Sequence, residues 1–160
     1  MTIAIENLAA ALFSKLSAAP LKTGCAESLT GGRVAAAMTS LPGSSAFFQG
    51  GVVAYSNQLK VELLGVPLSV ISDYGAVSQQ CAAAMADGLR RKLSLDAALA
   101  TTGIAGPDGG SREKPVGLVW LAVATAKGVV TRQEFFSGNR EAVTVASVEA
   151  ALGFFLSVLS

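Results

Sequence analysis

The sequence predicts an α/β protein in which helices cover both faces of a mixed β-sheet, that is, a three-layer α/β/α sandwich. Three observations lead to this fold class. Short β-rich runs alternate with segments of helical periodicity, the last two β-rich runs are joined by a turn, and 51% of the 160 residues are hydrophobic. Interleaved strands and helices favour a layered sheet. Because a chain of this length can bury one sizeable core, we expect a single domain over residues 1–160.

Periodicity and turn signals predict the elements of the first half in order. The first helix has apolar residues at helical spacing and stops before Pro20, and the first strand is a short apolar run. A glycine turn opens the second helix, and Ser56 or Asn57 caps the third after a second strand. The predicted helices are 3–16, 30–38, 57–64, 78–92 and 141–159, and the predicted strands are 22–26, 51–55, 96–102, 116–125 and 129–136.

The second half contains the remaining elements. Ser78 caps the fourth helix, and its last turn contains three cationic residues, which are favourable at a helix C-terminus. An apolar strand then runs into a glycine-rich loop over 103–115. Two β-rich runs joined by Ala-Lys-Gly indicate a hairpin, which makes the sheet mixed. The last helix is apolar on nearly every face, so we expect the sheet or another subunit to enclose it.

The composition excludes several classes of function. The chain has no histidine, so a Ser-His-Asp triad, a Cys-His pair and His-ligated zinc or iron sites are excluded. A net charge of +1, without a long basic run, does not predict a nucleic-acid ligand. Cys25 and Cys81 form no CxxC motif, which is typical of reduced thiols in the core of a cytoplasmic protein. Neither a signal peptide nor a membrane span is predicted.

Small and polar residues follow the first predicted strand. Ser28, Thr30, Gly31 and Gly32 lie where backbone N–H groups are free at the start of a helix, and such a helix start binds anions. The segment is neither a Walker A loop nor a GxGxxG loop. An ordinary strand-to-helix turn capped by Ser28 or Thr30 explains the same residues equally well.

A second polar group surrounds the second predicted strand, with Ser45 before it, Tyr55 at its end and Lys60 in the next helix. Without histidine, a serine nucleophile requires a neutral lysine or a tyrosinate as its base. Lys60 has apolar neighbours, and burial would lower its pKa because desolvation disfavours the ammonium ion. Spacing alone favours the simpler alternative, a surface lysine whose stem covers apolar residues.

Two further segments carry candidate binding residues. Thr102, Gly103 and Gly106 belong to a strand end and the glycine-rich loop after it, where backbone approaches a ligand closely. A flexible surface turn is the alternative for this loop. Arg140 precedes the last helix and could hold a phosphate or carboxylate with two parallel hydrogen bonds. A solvated arginine beside Glu141 is the alternative, although a cation is unfavourable at a helix N-terminus.

Six segments occur in order along almost the whole chain: AESLTGG from Ala26, GGVVAYSN from Gly50 with Lys60, GAVS from Gly75, TGIAGPDGG from Thr102, KPVG from Lys114 and GNR from Gly138. Together they resemble the CinA C-terminal domain family. The resemblance implies a nicotinamide-nucleotide amidase, which hydrolyses the carboxamide of nicotinamide mononucleotide to nicotinic acid mononucleotide and ammonia. It implies no metal and no organic cofactor. Because the sequence begins at the domain itself, we expect the stand-alone form of the family.

The resemblance also implies roles for the candidate residues. We expect Ser45 to attack the amide carbon, Lys60 to act as its base and Tyr55 to relay or orient the proton, with Ser28 as the rival nucleophile. Thr30 is expected to line the polar pocket.

Anion binding is the second expected task of the site. The amides near Gly31 and Gly32, or those of the turn at Thr102 and Gly103, would hold the phosphate or the oxyanion, and Arg140 would neutralise the phosphate. A nucleotide-binding or protein-interaction module without catalysis is the alternative function. A homodimer or larger homo-oligomer is expected from the apolar last helix and the edge of the terminal hairpin.

Overall fold

Alternating apolar strands and amphipathic helices assemble into one sheet with the strand order β2-β1-β3-β4-β5. The computed structural model describes residues 1–19 and 21–160. The strands are β1 Thr23–Glu27, β2 Phe48–Val53, β3 Ala97–Gly103, β4 Leu118–Thr125 and β5 Gly128–Phe135. The helices are α1 Ile3–Ala18, α2 Arg33–Met38, α3 Asn57–Leu64, α4 Leu68–Tyr74, α5 Gln79–Lys92 and α6 Arg140–Val158, with a 3-10 helix at Ser44–Ala46.

Different helices cover the two faces of the sheet because side chains alternate across each strand. Helices α1, α2 and α6 pack on one face against larger residues such as Leu99 and Leu121. Helix α5 packs on the other face, where small side chains let it approach the strands closely. These small residues are Ala26, Ala98, Ala100, Ala122 and Ala124. The predicted three-layer arrangement is therefore confirmed.

The pairing of the strands brings several strand ends to one edge. β1 is parallel to β2 and β3, with Cys25 opposite both Gly51 and Leu99. β4 is antiparallel to β3 and β5, and Thr125 faces Gly128 in the predicted hairpin. The sheet is mixed, as predicted. The carboxyl ends of β1, β2 and β3 meet the start of β4 at the edge where ligands of α/β sheets bind.

Two helices differ from the prediction. Helix α4 follows Pro67 and has no fully buried residue, so the short apolar pair Val70 and Ile71, which packs against the core, is all that marks it in the sequence. Helix α2 begins at Arg33 instead of Thr30 because Gly31 and Gly32 have φ angles of 57° and 95°, in the left-handed region. Strand β2 begins at residue 48, earlier than predicted, and ends at residue 53.

A close contact between α3 and α5 fixes the position of α3. A Cβ atom at Gly88 would lie 1.7 Å from the carbonyl oxygen of Leu64, so the two backbones touch where α3 ends. At the other end of α3, Ser56 is the cap, and its Oγ accepts a hydrogen bond of 3.1 Å from the amide of Leu59. This packing holds Lys60, one turn before Leu64, at the carboxyl edge of the sheet.

Helix α6 explains much of the apolar composition. Within residues 1–19 and 21–160, it is the one helix long and apolar enough to cross a membrane by length and composition. It packs against α1, β3 and β4, and eight of its residues are buried. Its composition is therefore that of a core helix. Cys25 and Cys81 are also buried and free, as predicted.

Candidate active site

A cleft of about 260 Å³ opens at the carboxyl edge of the sheet. Its wall is formed by the segments after β1, β2 and β3, by the segment before α5, by α3 and by the start of α6. The lining residues are Ser28, Leu29, Tyr55, Asn57, Lys60, Ala76, Val77, Thr102, Gly103, Ile104, Ala105, Gly106, Asp108, Gly109 and Arg140. Seven residues predicted from the sequence are therefore brought together: Ser28, Tyr55, Lys60, Thr102, Gly103, Gly106 and Arg140.

Ser28 and Lys60 form a buried pair at the base of the cleft. The amide of Ser28 donates to Thr101 O at 3.0 Å, which fixes the residue just beyond β1. Lys60 is only 2% exposed, and its Nζ donates to Ser28 Oγ at 3.1 Å. The same Nζ donates to the carbonyl oxygens of Ala54 and Tyr55 at 2.9 and 3.2 Å. The alternative of a solvated surface lysine is therefore wrong.

Burial makes it easier for Lys60 to lose its proton. Burial lowers its pKa from the ordinary value of 10.5, and Cys81 opposes this shift. Burial raises the pKa of Cys81 to about 11, so that residue is a neutral thiol near pH 7. Among the described residues, no carboxylate forms an ion pair with Lys60. A neutral amine can donate to the two carbonyls and accept the hydroxyl proton of Ser28.

The expected pairing of Ser45 with Lys60 is wrong. Ser45 lies in the 3-10 helix before β2 and is exposed. The parallel register of β1 and β2 puts Thr23 opposite Phe48, so Ser45 lies at the amino edge of the sheet. Ser28 lies at the carboxyl edge, with the length of a strand between the two serines. Lys60 instead contacts Ser28, the rival candidate for the nucleophile.

The amides of Gly31 and Gly32 are not free to bind a substrate anion, contrary to expectation. The amides at the start of α2 already bind the carboxylate of Glu27: Oε2 accepts from Gly32 and Val34 at 3.0 and 3.1 Å, and Oε1 accepts from Ala35 at 2.8 Å. The amide of Gly31 donates to Ser28 O. The N-cap is Gly32 instead of Ser28 or Thr30.

Two threonines near the cleft are bound by protein groups. Thr30 is buried and its Oγ1 lies 2.8 Å from Oγ1 of Thr101, so it does not line the cleft, contrary to expectation. Thr102 does line the cleft, and its Oγ1 donates to Ala76 O at 2.7 Å. That bond joins the end of β3 to the segment before α5 and shapes the wall between them.

Arg140 and Tyr55 meet at the rim of the cleft. Arg140 Nη2 donates to the phenol oxygen of Tyr55 at 2.7 Å, and Nη1 donates to Gly106 O at 2.9 Å. The phenol therefore contacts the guanidinium, and the group of Tyr55 that contacts Lys60 is its main-chain oxygen. The expected proton relay through Tyr55 is not supported by these contacts. Arg140 retains further N–H donors for an anion.

Several residues of the cleft were not predicted from the sequence, and three of them adjoin polar or candidate catalytic groups. Asn57 stands at the start of α3, Asp108 lies in the glycine-rich loop, and Leu29 follows the candidate nucleophile. Asp108 belongs to the TGIAGPDGG segment and could have been selected there. Over residues 1–19 and 21–160, the amide of Leu29 has no protein acceptor. In the same ranges, no group of three His, Cys, Asp or Glu side chains could hold a metal ion.

Comparison with known proteins matches this chain to one family. A family model described as the CinA C-terminal domain matches residues 5–159. A nicotinamide-nucleotide amidohydrolase PncC from Enterobacter agglomerans is 51% identical over 137 residues, which cover 82% of this chain and 84% of that protein. A CinA-like protein from Geotalea daltonii is 48% identical over 150 residues, or 94% of this chain and 36% of that protein. The chain thus spans about a third of the length of such curated relatives.

Solved structures show the same fold. A competence/damage inducible protein CihA from Agrobacterium tumefaciens superposes with a TM-score of 0.96 at 38% identity, covering 100% of both chains. A CinA superfamily protein from Escherichia coli superposes with a TM-score of 0.93 at 36% identity, covering 96% of this chain and 90% of that one. The family match, the sequence relatives and the structures agree: the chain belongs to the CinA C-terminal domain family.

Proposed function

We propose that the protein hydrolyses the carboxamide of nicotinamide mononucleotide to nicotinic acid mononucleotide and ammonia. The observation that carries the proposal is the buried hydrogen bond between Lys60 Nζ and Ser28 Oγ at the base of the cleft. A serine with a basic partner is the arrangement that acyl transfer requires. The name of the relative from Enterobacter agglomerans supports the choice of substrate.

The first half of the proposed reaction forms an ester on Ser28. Neutral Lys60 takes the hydroxyl proton while Oγ attacks the carboxamide carbon, and the carbonyl oxygen becomes an oxyanion. The amide of Leu29, which follows the nucleophile and has no acceptor among the described residues, is the proposed donor to that oxyanion. The intermediate collapses as the C–N bond breaks. Lys60 returns its proton to the nitrogen, which leaves as ammonia.

The second half regenerates the enzyme. Water enters the space left by ammonia, Lys60 takes one of its protons, and the hydroxide attacks the ester carbon. The bond to Oγ breaks, Ser28 recovers its proton from Lys60, and the carboxylic acid product leaves. Each proton transfer uses a side chain of this protein, so the proposed reaction calls for no metal or organic cofactor.

Arg140 is the proposed phosphate ligand. It lies at the rim of the cleft, away from the buried Ser28 and Lys60 pair, and its guanidinium is held by Tyr55 and Gly106. A planar guanidinium suits a phosphate because two parallel hydrogen bonds form. The substrate would therefore span the cleft, with its carboxamide at the base and its phosphate at the rim.

Ammonia release from nicotinamide mononucleotide by the purified protein tests the proposal. The riboside and the free base serve as controls for the phosphate and the sugar, and Ser28→Ala serves as the inactive variant. We expect release from the mononucleotide by the unmodified protein and none by Ser28→Ala. Nucleotide binding without ammonia release would contradict the proposal and favour a binding module without catalysis.

A further inference from the structure

Glu27 is a buried carboxylate beside the proposed nucleophile that no step of the reaction uses. Its side chain is 1% exposed. Its two oxygens accept hydrogen bonds from three backbone amides of α2 and its N-cap, at 2.8 to 3.1 Å. The thiol of Cys25 also donates to Oε1, at 3.5 Å. The carboxylate is thus satisfied entirely by the protein around it, as a buried charge must be.

The main-chain oxygen and the carboxylate of Glu27 fix the two ends of the turn that carries Ser28. At its start, Glu27 O accepts a hydrogen bond of 2.9 Å from the amide of Ala54, which ties β1 to the residue after β2. At its end, the Glu27 carboxylate binds the amide of Gly32, five residues further along. The turn is therefore restrained at both ends, and the bond to the carboxylate at its end is stronger than a hydrogen bond between neutral groups.

The alternation of β1 separates the carboxylate from the base. Glu27 points to the face covered by α2, and the Ser28 hydroxyl meets Lys60 of α3 on the other side. Glu27 therefore forms no ion pair with Lys60. A carboxylate beside Lys60 would favour the ammonium ion and remove the base.

We infer that Glu27 is a positioning residue for the nucleophile: its carboxylate, bound to the amides of α2, holds the turn from Ser28 to Gly32 so that Ser28 Oγ meets Lys60. This inference rests on the proposed serine and lysine chemistry. It assigns Glu27 no contact with the substrate. Loss of the carboxylate should therefore lower kcat and leave KM nearly unchanged.

Glu27→Gln tests the role because it keeps the shape and removes the charge. The amide nitrogen of Gln would face a backbone N–H, so at least one of the hydrogen bonds is lost. Thr23→Val is the matched control: Thr23 is buried in the same strand at the opposite edge, and its Oγ1 donates to Phe47 O. Thermal melts confirm that both variants fold. Glu27→Asp, which keeps the charge but shortens the side chain, replaces Glu27→Gln if that variant is unfolded.

Two readouts are measured on each folded variant: the kinetics of ammonia release as a function of pH, and the rate at which a fluorophosphonate probe labels Ser28. We expect Glu27→Gln to lower kcat and the labelling rate by at least about tenfold, with KM within about twofold and the acid limb of the pH profile unmoved. Thr23→Val should keep both rates. Unchanged rates in the Glu27 variant, or an equal loss in Thr23→Val, would overturn the inference.

The labelling readout separates this inference from the proposed substrate. If the unmodified protein is labelled at Ser28 but releases no ammonia from nicotinamide mononucleotide, the substrate proposal fails, and slower labelling of Glu27→Gln still supports the positioning role. If the unmodified protein is neither labelled nor active, the serine chemistry fails and the inference on Glu27 is overturned with it.

Discussion

Lys60 Nζ donates to Ser28 Oγ at 3.1 Å, joining a residue of α3 to the residue that follows β1. Both residues are almost fully buried, at 2% and 8% exposure. The contact places a base whose pKa burial has lowered within hydrogen-bond reach of a hydroxyl. In a chain without histidine, this contact supplies the nucleophile and the base of the proposed reaction.

Substitution of the two candidate serines gives opposite outcomes. Ser28→Ala removes the hydroxyl that Lys60 contacts and should lower kcat for ammonia release by about 10³-fold or more. Ser45→Ala is the matched control because Ser45 is exposed at the opposite edge of the sheet, and it should keep activity within about twofold. Steady-state ammonia release measures both. Activity in Ser28→Ala together with loss in Ser45→Ala would reverse the assignment of the nucleophile.

The pH dependence should follow the titration of Lys60. The lysine acts as a base only when neutral, so kcat/KM falls as the pH drops through its pKa, which burial places below the ordinary 10.5. Lys60→Arg keeps a cation that does not deprotonate, and it should be inactive at every pH. Initial rates across the pH range measure the profile. A flat acid side in the unmodified protein would contradict the role of Lys60.

The same shift predicts a change in stability with pH. The unfolded chain holds the Lys60 proton up to its ordinary pKa, and the folded protein releases it at lower pH. Between the two pKa values the unfolded state binds more protons, so the free energy of unfolding rises with pH. Lys60→Met should lack this rise when urea unfolding is measured below about pH 8, where the cysteines of the unfolded chain, with an ordinary pKa of 9.0, remain mostly protonated. If the free energy of unfolding rose equally with pH in both proteins, the shifted pKa of Lys60 would be contradicted.

Arg140 should affect substrate binding through the phosphate. Arg140→Lys loses the planar pair of donors and should raise KM for nicotinamide mononucleotide by about tenfold, with little effect on any reaction of the riboside. Tyr55→Phe removes the phenol that holds the guanidinium and should raise KM less. Arg91→Lys, at the exposed end of α5, is the control. Equal effects of Arg140→Lys on both substrates would show that Arg140 does not contact the phosphate.

Gly88 should be essential for stability. A Cβ at this position would lie 1.7 Å from Leu64 O, so Gly88→Ala must push α3 away from α5 and should cost about 2–4 kcal/mol of the free energy of unfolding. Gly153→Ala is the control in α6, where a Cβ meets only Leu8 Cδ2 at 3.9 Å. It should be neutral or stabilising by about 0.5 kcal/mol because alanine favours a helix. Urea unfolding compares the two variants.

Local signals predict most of the fold. Ser56 and Ser78 mark helix starts in the sequence and cap α3 and α5 in the structure. The turn residues between β4 and β5 predict the hairpin, and the apolar α6 predicts a core helix. Helix α4 has only a weak signal, because it is seven residues long and packs against the core mainly through Val70 and Ile71. Sequence periodicity reveals a helix only when the helix is long enough to repeat its apolar face.

Which residues meet in the site could not be predicted without the register of the strands. Ser45 and Ser28 are both serines in loops beside predicted strands, so the sequence offers either as the partner of Lys60. The parallel pairing of β1 with β2 decides which serine lies at the same edge of the sheet as the lysine. Glu27 presents a similar case. The sequence shows an acidic residue before a helix, but its binding to amides five to eight residues away depends on the turn made by Gly31 and Gly32.

The antiparallel pairing of β3 with β4 has a consequence for the divergence of this family. Gly103 lies opposite Val119, so the loop that leaves β3 returns to the sheet at the same edge, over the cleft. Residues can be inserted into or deleted from that loop without shifting any strand. New substrates could therefore evolve by changes in this one connection, while the serine and lysine on the neighbouring elements stay where they are.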